Sequence, residues 1–226
     1  MKAIDRPDQI PFLWGVGRFP GSSDPYFVSQ ADMDRDVAGA ARVIERLGAE
    51  AGEHVLFVSH FYEGCQFWPL ERAAIERDVV ISCAEANLMD APRVEFFTRL
   101  LPLAAAVGVT ADTLDGVEQL GLDLREVFDR PRVVLARPGA YERLRAAGVE
   151  ARRIVALGPA LVTECAAGEL HVDGDEWDVV EHDGELVISG RGKRATDVAS
   201  FGTGLRGRTL GTGTCGSPDP VVDIET

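Results

Sequence analysis

Two periodicities of apolar residues alternate along this chain. From Ser29 the stretch SQADMDRDVAGAARVIERLG places Val37, Ala40, Ala41, Ile44 and Leu47 at helical spacing, which gathers them on one face of a helix. Ser29 supplies an N-cap hydroxyl, Asp32 follows three residues on as a shortened capping-box acid, and Gly48 ends the pattern. A strand is expected from His54 to Ser59. FWPLERAAIERDVVISCAE repeats the arrangement, with Phe67, Leu70, Ala74 and Ile75 on one helical face before the apolar run VVIS. A third unit begins at DAPRVEFFTRLLPLAAAVGV, where Asp90 is a plausible cap and Pro92 suits the first helical turn. PRVVLA (131–136), a helix near AYERLRAAGV and RRIVALG (152–158) continue the series.

Short apolar strands alternating with amphipathic helices predict an α/β fold with a mostly parallel sheet flanked by helices. From about Gly168 the pattern changes to ELHVDGDEWDVVEHDGELVISGRG, with period-two alternation and Asp-Gly pairs at 173–174 and 183–184. Those pairs predict β-hairpins and a small antiparallel β subdomain. The expected division is an α/β core over 1–165 and a β-rich subdomain over 166–226. Residues 1–30 read as loop-rich, with Pro7, Pro11, Pro20 and Pro25 around the turn GSSD.

Composition narrows the function. A chain of 226 residues, 46% hydrophobic, can bury a substantial core. The net charge of −14, with Lys2 and Lys193 the only lysines, argues against nucleic acid and anionic membrane as partners. No apolar run reaches the ~18 residues that span a bilayer, and Asp5 and Asp8 interrupt the start where a signal peptide would be apolar. A cytoplasmic protein is expected. Cys65, Cys83, Cys165 and Cys215 are widely spaced and read as small buried thiols rather than a disulfide framework.

Some groupings carry little chemistry. WGVGRFPG misses the dinucleotide-binding glycine spacing by one residue. DGDEWD lacks calcium-loop spacing. Arg191, Lys193 and Arg194 read as a solvated loop. SHFYEGCQFWPLE (59–71) is more informative, because it follows a strand, where open parallel sheets border ligand crevices. His60 and Glu63 are candidate acid–base groups, with Phe61 and Tyr62 as candidate ligand contacts and Cys65 nearby as a thiol. Phe67 and Trp68 are expected to cover the core.

Four stretches, in order over roughly residues 12–224, resemble the phenylacetate-CoA ligase branch of the adenylate-forming enzymes. They are the loop before YFVSQADM with its helix and strand, RPRVVLARPGAYERLRAAGV, TECAAGELHVDGDEWDVVEHDGELVIS, and FGTGLRGRTLGTGTCGSPDPVV. Such enzymes activate a carboxylate with ATP and pass the acyl group to coenzyme A. The resemblance implies that Gly21, Ser22 and Ser23 mark the ATP loop, Gly158 the adenine turn, Glu164 the region of the magnesium-binding acid, and the aromatics after His60 the acyl pocket.

The departures from the family pattern are equally specific. Asp24 and Pro25 stand where phosphate contacts should continue; an anion repels phosphate and proline offers no N–H. The adenine turn lacks its tyrosine, and Leu205 replaces the ribose-binding aspartate. On this comparison the family's lysine-bearing C-terminal domain is absent, and ATP-dependent ligation by this chain alone is not expected. The resemblance also implies a zinc site at Cys165, His171 and Cys215, with Gly213 at the fourth position; thiolate and imidazole donors suit zinc.

Three functions follow as expectations. The first is a truncated, degenerate ligase-like protein that binds a small carboxylic acid or acyl-CoA without ATP. The second is an enzyme of altered acyl chemistry, using His60 and Glu63 or a zinc-bound water. The third is a structural or accessory subunit of an oligomer, with a homo-oligomer or a partner subunit covering the exposed face.

Overall fold

The computed structural model describes residues 12–225; the loop-rich expectation for 1–11, with Pro7 and Pro11, lies outside them. In chain order the first elements are β1 (Leu13–Gly17), β2 (Tyr26–Ser29), α1 (Gln30–Leu47), β3 (His54–Ser59), α2 (Gly64–Ile75) and β4 (Val80–Glu85). There follow α3 (Ala91–Leu100), β5 (Leu103–Val109), α4 (Ala111–Gln119), α5 (Leu124–Phe128), β6 (Val133–Ala136), α6 (Ala140–Ala146) and β7 (Ala151–Leu157). The chain continues as β8 (Ala160–Glu164), β9 (Leu170–His171), β10 (Trp177–His182), β11 (Glu185–Gly190), β12 (Phe201–Thr212) and β13 (Pro220–Ile224).

These elements divide between two compact units. One comprises Val43–Phe61 and Leu70–Val155. Within it the strands run parallel in the order β7-β6-β5-β3-β4. β5, LAAAVGV, is buried along its whole length, as a strand covered on both faces must be. Leu56, Val94, Leu114, Phe128, Leu135 and Leu144 are fully buried among the strands and helices of this unit. Thr110 caps α4 by accepting the Thr113 N–H, and Asp123 caps α5 by accepting from Arg125 and Glu126.

Asp90 corrects its expected role: its side chain makes no capping bond to α3 but accepts the Glu85 N–H at 2.7 Å. Asn87 caps the short turn before it. Ile75 is exposed, while Phe67, Leu70 and Ala74 are buried as their spacing predicts.

The other unit holds the described residues up to Arg42, Tyr62–Pro69 and those from Ala156 on. β1 and β2 pair antiparallel, so the stretch read as loop contains a hairpin. Antiparallel strands follow the order β10-β11-β12-β13-β9-β8. The sheet architecture is therefore mixed rather than mostly parallel, and the antiparallel strands cluster with β1, β2 and the start of α1. The cause is connection length: the β10–β11 link is only Asp183-Gly184, too short for the crossover that a parallel pair needs. Both linking residues have positive φ, 53° and 79°, the conformation of a two-residue hairpin turn. Asp173-Gly174, expected to make a second hairpin, joins β9 to β10, which do not pair.

Ser29 and Asp32 cap α1 reciprocally: Ser29 Oγ accepts the Asp32 N–H at 3.2 Å, and Asp32 Oδ2 accepts the Ser29 N–H at 2.9 Å. Arg194 overturns its reading as part of a solvated loop. It is buried, donates to Asp36 and Glu176 at 2.5 and 2.6 Å, and lies 4.5 Å over the Trp177 ring. The partners compensate its desolvation and keep it charged.

Candidate functional site

The loop between β1 and β2 turns at Gly21, whose φ of 82° is one that glycine adopts freely. Ser22 N–H donates to the Phe19 carbonyl at 3.2 Å. The Ser22 hydroxyl is engaged within its own turn, accepting the Asp24 N–H and donating to the Asp24 carbonyl. Ser23 is exposed. Arg18 donates from its guanidinium to the Ser22 carbonyl at 3.2 Å, and its backbone N–H donates to the Tyr62 carbonyl at 3.1 Å.

A cleft of about 350 Å³ opens here, lined by Arg18, Phe19, Pro20, Gly21, Ser22 and Tyr62. Gly21, Ser22 and Tyr62, three of the residues named as candidate ligand contacts, thus line one cleft. Arg18 joins them unannounced by the sequence, in which it is one arginine among many.

Gly158 stands on the same unit, and between it and Gly21 lies the Phe201 ring. A β-carbon added to Gly158 would sit 3.1 Å from Phe201 Cδ1, and one added to Gly21 would sit 3.3 Å from Phe201 Cζ. Phe19 meets Phe201 edge-on at 5.0 Å between centroids and Tyr26 at 5.4 Å. The stretch matched to the ribose motif has its donors engaged as well: Thr203 Oγ1 donates to the Leu186 carbonyl at 2.7 Å, and Gly204 N–H to Glu185 at 2.8 Å. Gln66, buried nearby, donates to the Gly158 carbonyl at 2.7 Å, while its Oε1 has no partner among the described residues. Glu164 ends β8 at the far side from Gly158, about 17 Å of extended strand away.

His60 follows β3 in the parallel unit, its Nδ1 3.8 Å from Glu85 Oε1, which also accepts the Phe61 N–H at 3.0 Å. Phe61 projects into solvent, 91% exposed. Glu63 is buried and belongs to the other unit. Cys65, beside Gly17, is buried, and burial pushes its thiol up to about 12, far from the range of a reactive thiolate.

The residues expected to hold metal lie in two segments brought side by side by β9, in which His171 pairs with Thr163 of β8 and Val221 of β13. Cys165, Glu169, His171 and Cys215 place their ligand atoms within 4.8 Å of one another. His171 is buried, its Nδ1 bonded to the Asp219 carbonyl at 3.0 Å. A carbonyl only accepts, so Nδ1 is the donor of this bond, and Nε2 is the ring nitrogen that faces the cluster. Nε2 lies 3.2 Å from Cys215 Sγ and 3.7 Å from Glu169 Oε2. Cys165 is buried and Cys215 exposed; Cys215 and Cys83 thus depart from the expectation of four buried thiols.

Glu169 was not legible as a ligand, because an acid in a surface turn has no distinguishing spacing. Its carboxylate accepts from Thr214 N–H, Thr214 Oγ1 and Cys215 N–H, and these bonds hold it below the ordinary glutamate range. Two sulfurs, an imidazole and a carboxylate form a donor set able to bind a divalent metal ion.

No family model matches the sequence, and no curated protein matches it. Solved structures do. 2-Hydroxyisobutyryl-CoA ligase in an open conformation with 2-HIB-AMP and CoA aligns with a TM-score of 0.72 at 16% identity, over 94% of this chain and 57% of that one. The same ligase in its postadenylation state with 2-HIB-AMP gives 0.73, also at 16% identity, over 94% and 51%. o-Succinylbenzoate CoA synthetase from Bacillus subtilis, with its acyl-adenylate OSB-AMP, gives 0.55 at 12% identity, over 92% and 48%. The chain thus spans about half the length of these proteins and shares their fold.

Proposed function

We propose that this protein is a degenerate relative of the acyl- and aryl-CoA ligases, of the phenylacetate-CoA ligase-like kind, that binds a small carboxylic acid or acyl thioester without making an adenylate. The observation that carries this reading is the Phe201 ring packed between Gly21 and Gly158 against Phe19. The stretches that resemble the ATP loop, the adenine turn and the ribose motif meet around that ring. A nucleotide entering there would have to displace this half-buried aromatic from its contacts with Phe19 and the two glycines. Asp24 and Pro25 oppose phosphate in the loop, and Leu205 cannot accept from ribose hydroxyls.

The Arg18 cleft supplies what a carboxylate needs instead: a guanidinium beside the Phe19 and Tyr62 rings. Carboxylic acids and acyl thioesters are also the chemistry of the solved ligases that share the fold. Zinc held by Cys165, His171 and Cys215 belongs to the same reading, with a structural role.

The test is a thermal-shift screen of the whole chain with ATP, CoA, acyl-CoAs and aryl acids, run beside ATP–pyrophosphate exchange. The expected result is stabilisation by an acid or acyl-CoA, its loss in Arg18→Gln, no shift with ATP and no exchange. ATP stabilisation equal to that by acyl-CoA, or measurable exchange, overturns the reading.

A further inference from the structure

Gly213 lies in the loop joining β12 to β13, two residues before Cys215. A β-carbon built there would stand 2.5 Å from Glu169 Oε2 and 2.7 Å from Val221 Cγ2. The Glu169 carboxylate thus occupies the space into which any side chain at 213 would project, and the two exclude each other.

We propose that Glu169 is the fourth protein ligand of the zinc centre, completing a site of two thiolates, one imidazole and one carboxylate, and that glycine at 213 leaves the carboxylate its room. This rests on the zinc reading above and sharpens it. Zinc bonds of about 2.0–2.3 Å put the edges of a tetrahedral site at about 3.3–3.8 Å. The His171–Cys215 and His171–Glu169 separations, 3.2 and 3.7 Å, already lie near that spacing. Thr214 and Cys215 N–H groups orient the carboxylate as a metal's outer partners do, and the Asp219 carbonyl does the same for the imidazole. Exposed Cys215 provides the path of entry.

The ligand count has a functional consequence. Three protein ligands leave a position for a reactive water, whereas four close the site. With Glu169 bound, the ion is a clip joining the β8–β9 turn to the β12–β13 loop, and it has no hydrolytic water.

The test uses the full chain, stripped with chelator and titrated with zinc against a chromophoric competitor, then loaded with cobalt(II), whose visible bands report coordination number and thiolate ligation. One ion per chain is expected, with a four-coordinate cobalt spectrum. Glu169→Gln is expected to weaken binding by at least about tenfold and to lower the intensity of the cobalt bands. Glu169→Ala combined with Gly213→Cys is expected to regain affinity and add thiolate charge-transfer absorption, since the new sulfur enters the vacated space.

If the unsubstituted chain binds no zinc, the zinc reading itself fails. If it binds zinc and Glu169→Gln leaves both affinity and cobalt spectrum unchanged, the site has three protein ligands and the assignment of Glu169 is wrong. Melting curves of the chelated variants identify any that do not fold; the paired substitution then decides, and absence of a third thiolate in its cobalt spectrum counts against the shared space.

Discussion

The Thr196 hydroxyl serves both backbone groups of Phe27: it accepts the Phe27 N–H at 2.7 Å and donates to the Phe27 carbonyl at 3.1 Å. One side chain thereby takes the place of a neighbouring strand along the buried stretch of β2. A buried amide left without a partner costs about 1–3 kcal/mol. Thr196→Val, close in shape and lacking the hydroxyl, is expected to lose that much in urea unfolding, while Thr196→Ser keeps most of it. Equal stability of Val and Ser variants would show that the hydroxyl contributes nothing.

Asp32 links the α1 cap to pH. Burial opposes its charged form, but the N–H groups of Ser29 and Ala195 and the Ser29 hydroxyl hold its carboxyl below the ordinary 3.8. The unfolded chain therefore binds the proton first as pH falls, so the stabilisation is complete above the unfolded value and lost through the lower folded one. Asp32→Asn is expected to cost about 0.5–2 kcal/mol at pH 7, the range of a lost cap. Denaturant midpoints should show the gap between variant and parent narrowing below about pH 4; a gap independent of pH would contradict the ionic role.

The thiols should separate by reactivity. Cys65 is buried with its thiol pushed up to about 12, so alkylation in the native state should be negligible at pH 8. Cys83 is exposed, yet burial of its sulfur and the adjacent Glu71 carboxylate push it up to about 11. Mass spectrometry of iodoacetamide-treated protein is expected to show slow labelling at Cys83 that quickens in Glu71→Gln. Unchanged labelling in that variant would exclude an effect of the carboxylate.

Gly116 records a close approach within the parallel unit. A β-carbon there would lie 2.5 Å from the Leu88 carbonyl oxygen and press on Ala91 Cβ. Gly116→Ala adds helix propensity to α4, but overpacking is expected to outweigh it, with a net loss of about 1–3 kcal/mol. A rise in melting temperature would mean that the Leu88–Asp90 turn yields freely.

Local pattern determined much of this protein. The period of Val37 to Leu47 and the Ser29–Asp32 cap defined α1, the apolar run from His54 to Ser59 defined β3, and Asp183-Gly184 defined a hairpin, because each is encoded by residues adjacent in the chain. Cys165, His171 and Cys215 were singled out through the family resemblance, their spacing alone being a weak pattern. Other features depended on chain segments far apart in sequence. Glu169 joins the cluster because β9 pairs with both β8 and β13, bringing residues 169 and 213–215 together. Phe201 fills the space between Gly21 and Gly158 although some 180 and 43 residues separate it from them. Arg194 is buried only because Asp36, Glu176 and Trp177 converge to compensate its charge. Periodicity reports which face of an element is apolar; which distant element covers that face is decided by packing, and the candidate site was built from those distant contacts.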